Sequence, residues 1–395
     1  MIIFGIRAHY AAIGGVENSI RNLAKVAVTK DMEATIVCRR PLHDEILDTG
    51  ASKLPNNIKL ETYLDDTYYS IFRRLKSLLS GGEALINVYR ELFCKYPTAV
   101  VIARHHAHAL AAKSAGFKTV RYLVPSLIKN QLTAESMDSS MLNRCRFFLH
   151  AIVDGYAQTK ALLNSEIFVF SRSMERQIRH HISKVETSLP IKIVYPGTDA
   201  SQFYPVSTAT KMELRKKLDL CPTKKVFLFV GRLVKSKGID YIVDAMKEMP
   251  DECLLLIVGD GDQNLLIREK IEKLSLQSKV VIHRPTLKIA HFFQASDVFV
   301  MSSTYECFGQ TILESVACGL RIVEFHRSSG VNTATHELNI DHRIDYSYTV
   351  DGKGLATAMR NSLTSATTKS GAVSAEPLAD WEQLWDSLVT GVDQS

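Results

Sequence analysis

The stretch that decides the reading of this chain is "TYECFGQTILESVACG", residues 304–319. It places two glutamates, Glu306 and Glu314, eight positions apart, with Phe308 and Gly309 between them. A helix over 309–318 makes Gly319 its natural left-handed closing residue. Glu306 then precedes the helix and Glu314 lies within it. On a continuous helix eight residues rise about 12 Å, so the two carboxylates cannot share one metal or one proton. The spacing suits an extended ligand with a carboxylate at each end and a diphosphate facing the helix N-terminus. Two solvated glutamates on a polar face are the plain alternative.

Outward from this stretch, the second half of the chain alternates short apolar runs with amphipathic segments. "VFLFV" (226–230), "LLLIV" (254–258), "VVI" (280–282), "DVFVM" (297–301) and "LRIVEF" (320–325) read as buried strands. "DYIVDAMKEM" and "NLLIREKIEKLSL" have helical spacing. Such alternation means βαβ units and a parallel sheet covered on both faces. The first half repeats the scheme with "MIIFGI", "ATIVC", "AVVIA", "KTVRYLV", "EIFVFS" and "IKIVY", and with helices over 16–29, 107–115, 141–163 and 173–183. "YPGTDASQFYPVST" (195–208) reads as the linker. The expectation is an α/β protein of two doubly wound, Rossmann-like domains, 1–195 and 196–375, facing across a cleft. A C-terminal helix within 376–395, bearing both tryptophans, packs back on the first domain.

The length of 395 residues fits this division. No apolar run approaches the ~18 residues of a membrane span. The opening "MIIFGIRAHY" has no basic region before it and no cleavage site after it, so it reads as a first strand. Seven cysteines without C-x-x-C spacing read as reduced thiols in a cytoplasmic protein. Charge is uneven. Residues 1–195 hold 26 Lys and Arg against 17 Asp and Glu; the remainder holds 22 against 25. A basic half suits an acidic partner, be it nucleic acid, a phosphorylated substrate or an anionic membrane, though a solvated basic surface has the same signature.

Three further segments carry chemistry. In "VGRLVKSKGIDYIVDAM" (230–246), Gly231, Arg232 and Lys237 sit between a strand and a helix, where cations meet phosphate. "IVGDGDQNLL" (257–266) has G-x-G only and reads as a tight βα turn. In "HYAAIGGVENSIRNLAK" (9–25), Gly14 and Gly15 precede a helix and let backbone N–H groups approach a ligand, or simply form a flexible turn.

Taken in order, these segments resemble the GT4 family, glycosyl transferases group 1, of retaining GT-B enzymes. "ECFGQTILE" looks like its E-x7-E signature, "VGRLVKSKG" its phosphate-binding segment, "YPGTDASQFYP" its interdomain element and "GGVE" its first glycine loop. The resemblance implies a metal-independent hexosyltransferase with no cofactor, using a UDP- or GDP-sugar as donor. It implies that Arg232 and Lys237 hold the diphosphate, Glu306 lies by the donor sugar and Glu314 bonds the ribose. Gly231, Phe308, Gly309, Gln310 and Thr311 belong to the same donor site, Arg284 to the base pocket, and Gly14 and Gly15 to a loop over the diphosphate. His106, in "ARHHAHAL", matches the family's first-domain histidine if Arg104 replaces the first histidine of an H-x-H; His105 and His108 are its competitors. Arg321 and "EFHRSSG" (324–330) depart from the family pattern and bear on the sugar pocket.

The implied acceptor is a glycan or lipid-linked sugar of lipopolysaccharide, O-antigen or capsule type. The basic, aromatic "YYSIFRRLKSLLSGGEALINVYRELFCKYP" (68–97) suits a peripheral seat on the inner face of an anionic membrane, or packing on its own domain. No recognition motif for nucleic acid accompanies the charge. Epimerisation or hydrolysis of a sugar nucleotide, and a silent nucleotide-sugar-binding subunit, are the alternatives.

Overall fold

The computed structural model describes residues 1–10, 12–40, 54–64, 82–128, 141–183, 185–186, 188–364 and 378–389. The chain divides into two compact units, Met1–Gly197 with Trp381–Ser395, and Thr198–Asp380.

The first unit is built on seven parallel strands, β1 (Ile2–Gly5), β2 (Ala34–Arg39), β3 (Ile58–Tyr63), β4 (Val100–Ala103), β5 (Val120–Leu123), β6 (Glu166–Val169) and β7 (Ile191–Ile193). Their order is β3-β2-β1-β4-β5-β6-β7. The described helices are α1 (Gly15–Thr29), α2 (Glu83–Lys95), α3 (His106–Ala115), α4 (Met141–Asn164) and α5 (Arg172–Ile182). The chain winds outward to β3, then returns to β4 on the other side of β1. Between β1 and β4 lies the switch point, where open α/β sheets hold their ligands. All four residues of β1 are buried, as an apolar strand covered on both faces must be.

The second unit repeats the design with β8 (Lys225–Val230), β9 (Cys253–Val258), β10 (Val280–His283), β11 (Val298–Met301), a short β12 (Tyr305–Glu306), β13 (Arg321–Phe325), a short β14 (Asn332–Thr333) and β15 (Ile344–Ser347). Six form a parallel sheet, β10-β9-β8-β11-β13-β15, and β12 pairs with β14 alone. Helices α6 (Thr208–Lys217), α7 (Ile239–Met246), α8 (Asn264–Lys273), α9 (Ala290–Ala295), α10 (Gln310–Ala317) and α11 (Gly352–Thr364) connect them. Two apolar clusters cover the faces. One gathers Phe227, Ile242 and Leu255, the other Leu228, Phe293 and Ile312.

The last described helix, α12 (Trp381–Val389), belongs to the first unit. Trp385, 2% exposed, lies 6.2 Å from Phe4 of β1, and the Arg121 guanidinium donates to the Leu388 carbonyl. Arg73, Arg74 and Lys76, the basic residues offered above for a membrane surface, fall outside the described residues. No described helix is long and apolar enough to cross a membrane.

Candidate functional site

The site in the second unit is assembled by the loops at the carboxyl edge of its sheet. After β8 the chain passes Gly231 and Arg232 into a single turn, Lys235–Lys237, and Gly238 opens α7 with φ +60°. A Cβ at Gly238 would overlap the Ser302 carbonyl, so conformation and space both demand glycine there. Ser302 Oγ donates to the Lys237 carbonyl at 2.7 Å, and the Thr304 N–H to the Ser236 carbonyl at 3.0 Å. The loops after β8 and β11 are thereby stitched together. This brings the Lys237 ammonium into an ion pair with the Glu306 carboxylate, the side chains 22% and 17% exposed. Arg232 is exposed and has no ion pair among the described residues.

Glu306 is itself held in a strand. It pairs with Thr333 across β12 and β14, and its carbonyl accepts from the Ala334 N–H at 3.2 Å. Phe308 then turns inward, and Gly309, at φ +78°, starts α10. The helix runs 310–317 where 309–318 was expected, and Gly319, at φ +77°, closes it in the left-handed conformation foreseen. Glu314 lies within α10 at 4% exposure. Burial alone pushes its carboxyl up to about 8, so at neutral pH it is an acid that can both donate and accept a hydrogen bond. Two cations and the positive end of a helix thus share one sheet edge, with the buried Glu314 one turn further along.

The glycines of "GDGD" serve the backbone of this edge. A Cβ on Gly259 would strike the Gly231 carbonyl, and one on Gly261 would come 2.5 Å from the Leu233 carbonyl. The turn after β9 therefore packs directly on the turn that carries Arg232. Arg284 is exposed at the carboxyl end of β10. Its neighbour His283, which the sequence did not single out, sets its ring 4.7 Å from Phe292 and bonds the Arg284 carbonyl. Gln310 and Thr311 stand half-buried in the first turn of α10.

In the first unit the candidates flank the switch point. Gly14 caps α1 with extended backbone, and Gly15 begins it with nothing within 4 Å of where a Cβ would stand. The loop before them is pinned by buried Arg21, which donates to the Tyr10 and Ala12 carbonyls at 2.9 and 2.8 Å. Only the tertiary fold reveals that role. After β4, Arg104 is buried and donates to the Leu123 carbonyl. His105 caps α3, its ring accepting from the Ala107 N–H and lying 4.0 Å from the His106 ring. His106, 5% exposed, is held at about 3 by burial, Arg7 and His108, and is neutral. His108 is clamped between the Tyr63 and Tyr89 hydroxyls at 3.2 and 3.0 Å, a packed role that makes it the poorest ligand-facing candidate of the three. Among the described residues, no three His, Cys, Asp or Glu side chains gather as a metal site requires.

Residues 210–337 match the family model of glycosyl transferases group 1. An uncharacterized glycosyltransferase of Methanocaldococcus jannaschii is 28% identical over 181 residues, 44% of this chain and 45% of that protein. The chain thus matches less than half the length of this curated relative. Two solved structures match it nearly end to end, each at 18% identity. Anabaena HepE, in complex with UDP and glucose, has a TM-score of 0.72 over 98% of this chain and 99% of its own. The sucrose-phosphate synthase of Thermosynechococcus elongatus has 0.77 over 98% and 96%. Two parallel-sheet units in this order and the near end-to-end likeness to these structures give the fold as GT-B, and residues 210–337 of the second unit match glycosyl transferases group 1.

Proposed function

We propose that this protein transfers a sugar from a nucleoside diphosphate donor to a hydroxyl of a glycan or lipid-linked acceptor, with retention at the anomeric carbon. The observation that carries this reading is the Lys237–Glu306 pair beside the N-terminus of α10, with the buried Glu314 one turn further along. Lys237 and Arg232 neutralise the diphosphate as the glycosidic bond breaks, which lowers the barrier electrostatically without a cofactor. Releasing Glu306 from Lys237 when donor binds leaves its carboxylate to accept from the sugar hydroxyls. Glu314 takes the ribose hydroxyls, and Arg284 lies where the base docks. The acceptor oxygen attacks from the face the diphosphate leaves, and the diphosphate takes its proton. Gly14, Gly15 and neutral His106 are the first unit's own candidate ligand contacts, and that unit's net positive charge suits an anionic acceptor or the inner face of a membrane.

UDP is the first nucleotide to test, because HepE was solved with UDP. The experiment is UDP release from UDP-glucose and a panel of other UDP- and GDP-sugars, with and without glycan acceptors, the product's anomeric configuration being read by NMR. Acceptor-dependent release with retention supports the reading. Release that ignores acceptor makes the protein a hydrolase, and an inverted product contradicts the mechanism.

A further inference from the structure

The turn that carries Lys237 is held by a neighbouring strand as much as by itself. Its own bonds run from the Lys237 N–H to the Val234 carbonyl and from the Gly238 N–H to the Lys235 carbonyl, at 3.0 and 2.9 Å. They leave the carbonyls of Ser236 and Lys237 to other donors, which come from the loop after β11. The Thr304 N–H and hydroxyl reach the Ser236 carbonyl at 3.0 and 3.3 Å. The Ser302 hydroxyl donates to the Lys237 carbonyl at 2.7 Å.

Ser302 is fully buried, where a hydroxyl costs free energy unless it is bonded. It directly follows the apolar β11, and its own carbonyl packs against Gly238, where a Cβ would overlap it. Hydroxyl and carbonyl of Ser302 thus grip two successive residues, Lys237 and Gly238. Two positions on, the Thr304 carbonyl accepts from the Asn332 N–H at 2.9 Å, at the head of the β12–β14 ribbon that carries Glu306. One short loop, 302–304, therefore holds both the turn bearing Lys237 and the ribbon bearing Glu306.

We propose that Ser302 is a positioning residue for the donor: its hydroxyl holds the Lys237 backbone and so aims the Lys237 ammonium at Glu306 and at the diphosphate that arrives there. The proposal rests on the donor role of Lys237 given above. Ser302 touches no ligand in this assignment; its effect passes through Lys237. Removing the hydroxyl leaves a buried carbonyl without that bond and frees a three-residue turn to shift. A displacement of about 1 Å is enough to weaken the grip of a positioned charge.

A double-mutant cycle on the full chain tests this with UDP as the probe. Ser302→Ala is expected to weaken UDP binding roughly fivefold. In the Lys237→Ala background the same substitution is expected to change affinity by less than about twofold, because Lys237 is the group it positions. Ser296→Ala is the matched control: its buried hydroxyl also donates to a backbone carbonyl, that of Phe292 at 2.7 Å, just before β11. It is expected to leave UDP affinity unchanged. Hydrogen exchange over residues 234–241 is expected to quicken in Ser302→Ala and not in Ser296→Ala. If Ser302→Ala does not fold, Ser302→Cys, a weaker donor, enters the same cycle. Equal weakening of UDP binding with and without Lys237, or unchanged exchange, overturns the proposal. If UDP does not bind the native chain, the donor reading falls, and exchange alone decides whether Ser302 holds the turn.

Discussion

Glu306 and Glu314 carry similar chemistry in opposite settings. Glu306 pairs with an ammonium at a half-open edge, while Glu314 is buried and protonated at neutral pH. On the proposed reading Lys237→Ala takes a cation from the departing diphosphate, and a loss of about a hundredfold or more in kcat is expected with little change in Tm, measured as UDP release. Glu314→Gln separates binding from stability. Glu314 and Glu324 both titrate near 8 in the fold, against an ordinary value of 4.5. The unfolded chain therefore binds fewer protons than the fold between these values, so stability present below pH 4.5 is lost as pH rises to about 8. Urea unfolding at pH 5 and pH 8 is expected to show this fall, with each acid contributing roughly 3 to 5 kcal/mol. Glu314→Gln removes its share of the fall and weakens UDP binding. Unchanged pH dependence in that variant contradicts the burial argument.

At the scale of elements, the carboxyl edge of the second sheet is made of turns that pack backbone on backbone. Gly259→Ala forces the turn after β9 off the turn carrying Arg232, and a cost of about 1 to 3 kcal/mol is expected as overpacking. The readouts are a lower Tm and weaker UDP binding together, whereas Gly15→Ala, which meets nothing, leaves Tm unchanged. Strands β8, β9, β11 and β13 were legible because a parallel strand buried on both faces is an unbroken apolar run. Strands β3 and β15 were not, because "IKLETY" and "IDYS" are edge strands with polar residues on an open side. The two-residue pair β12–β14 has no periodicity to read, although it fixes Glu306. Spacing pointed to Arg232, Lys237, Glu306 and Glu314. No motif announced Arg21, whose role depends on the Tyr10 and Ala12 carbonyls of the loop before its helix.

For the whole molecule, the two units have separate cores. Residues 381–389 cross back to complete the first unit, where Trp385 fills the layer against Phe4. Trp385→Ala is expected to cost about 3 to 5 kcal/mol. Calorimetry is expected to show the first unit melting earlier while the UDP affinity of the second changes little; loss of both transitions together contradicts the division. The account turns on whether the edge that carries Arg232, Lys237 and Glu314 grips a nucleoside diphosphate. Isothermal titration of UDP into the native chain and into Lys237→Ala tests this most directly. Saturable binding at one site, weakened roughly tenfold or more by the substitution, is the predicted result. Equal affinity in the two proteins, or no binding of UDP or GDP to the native chain, contradicts it.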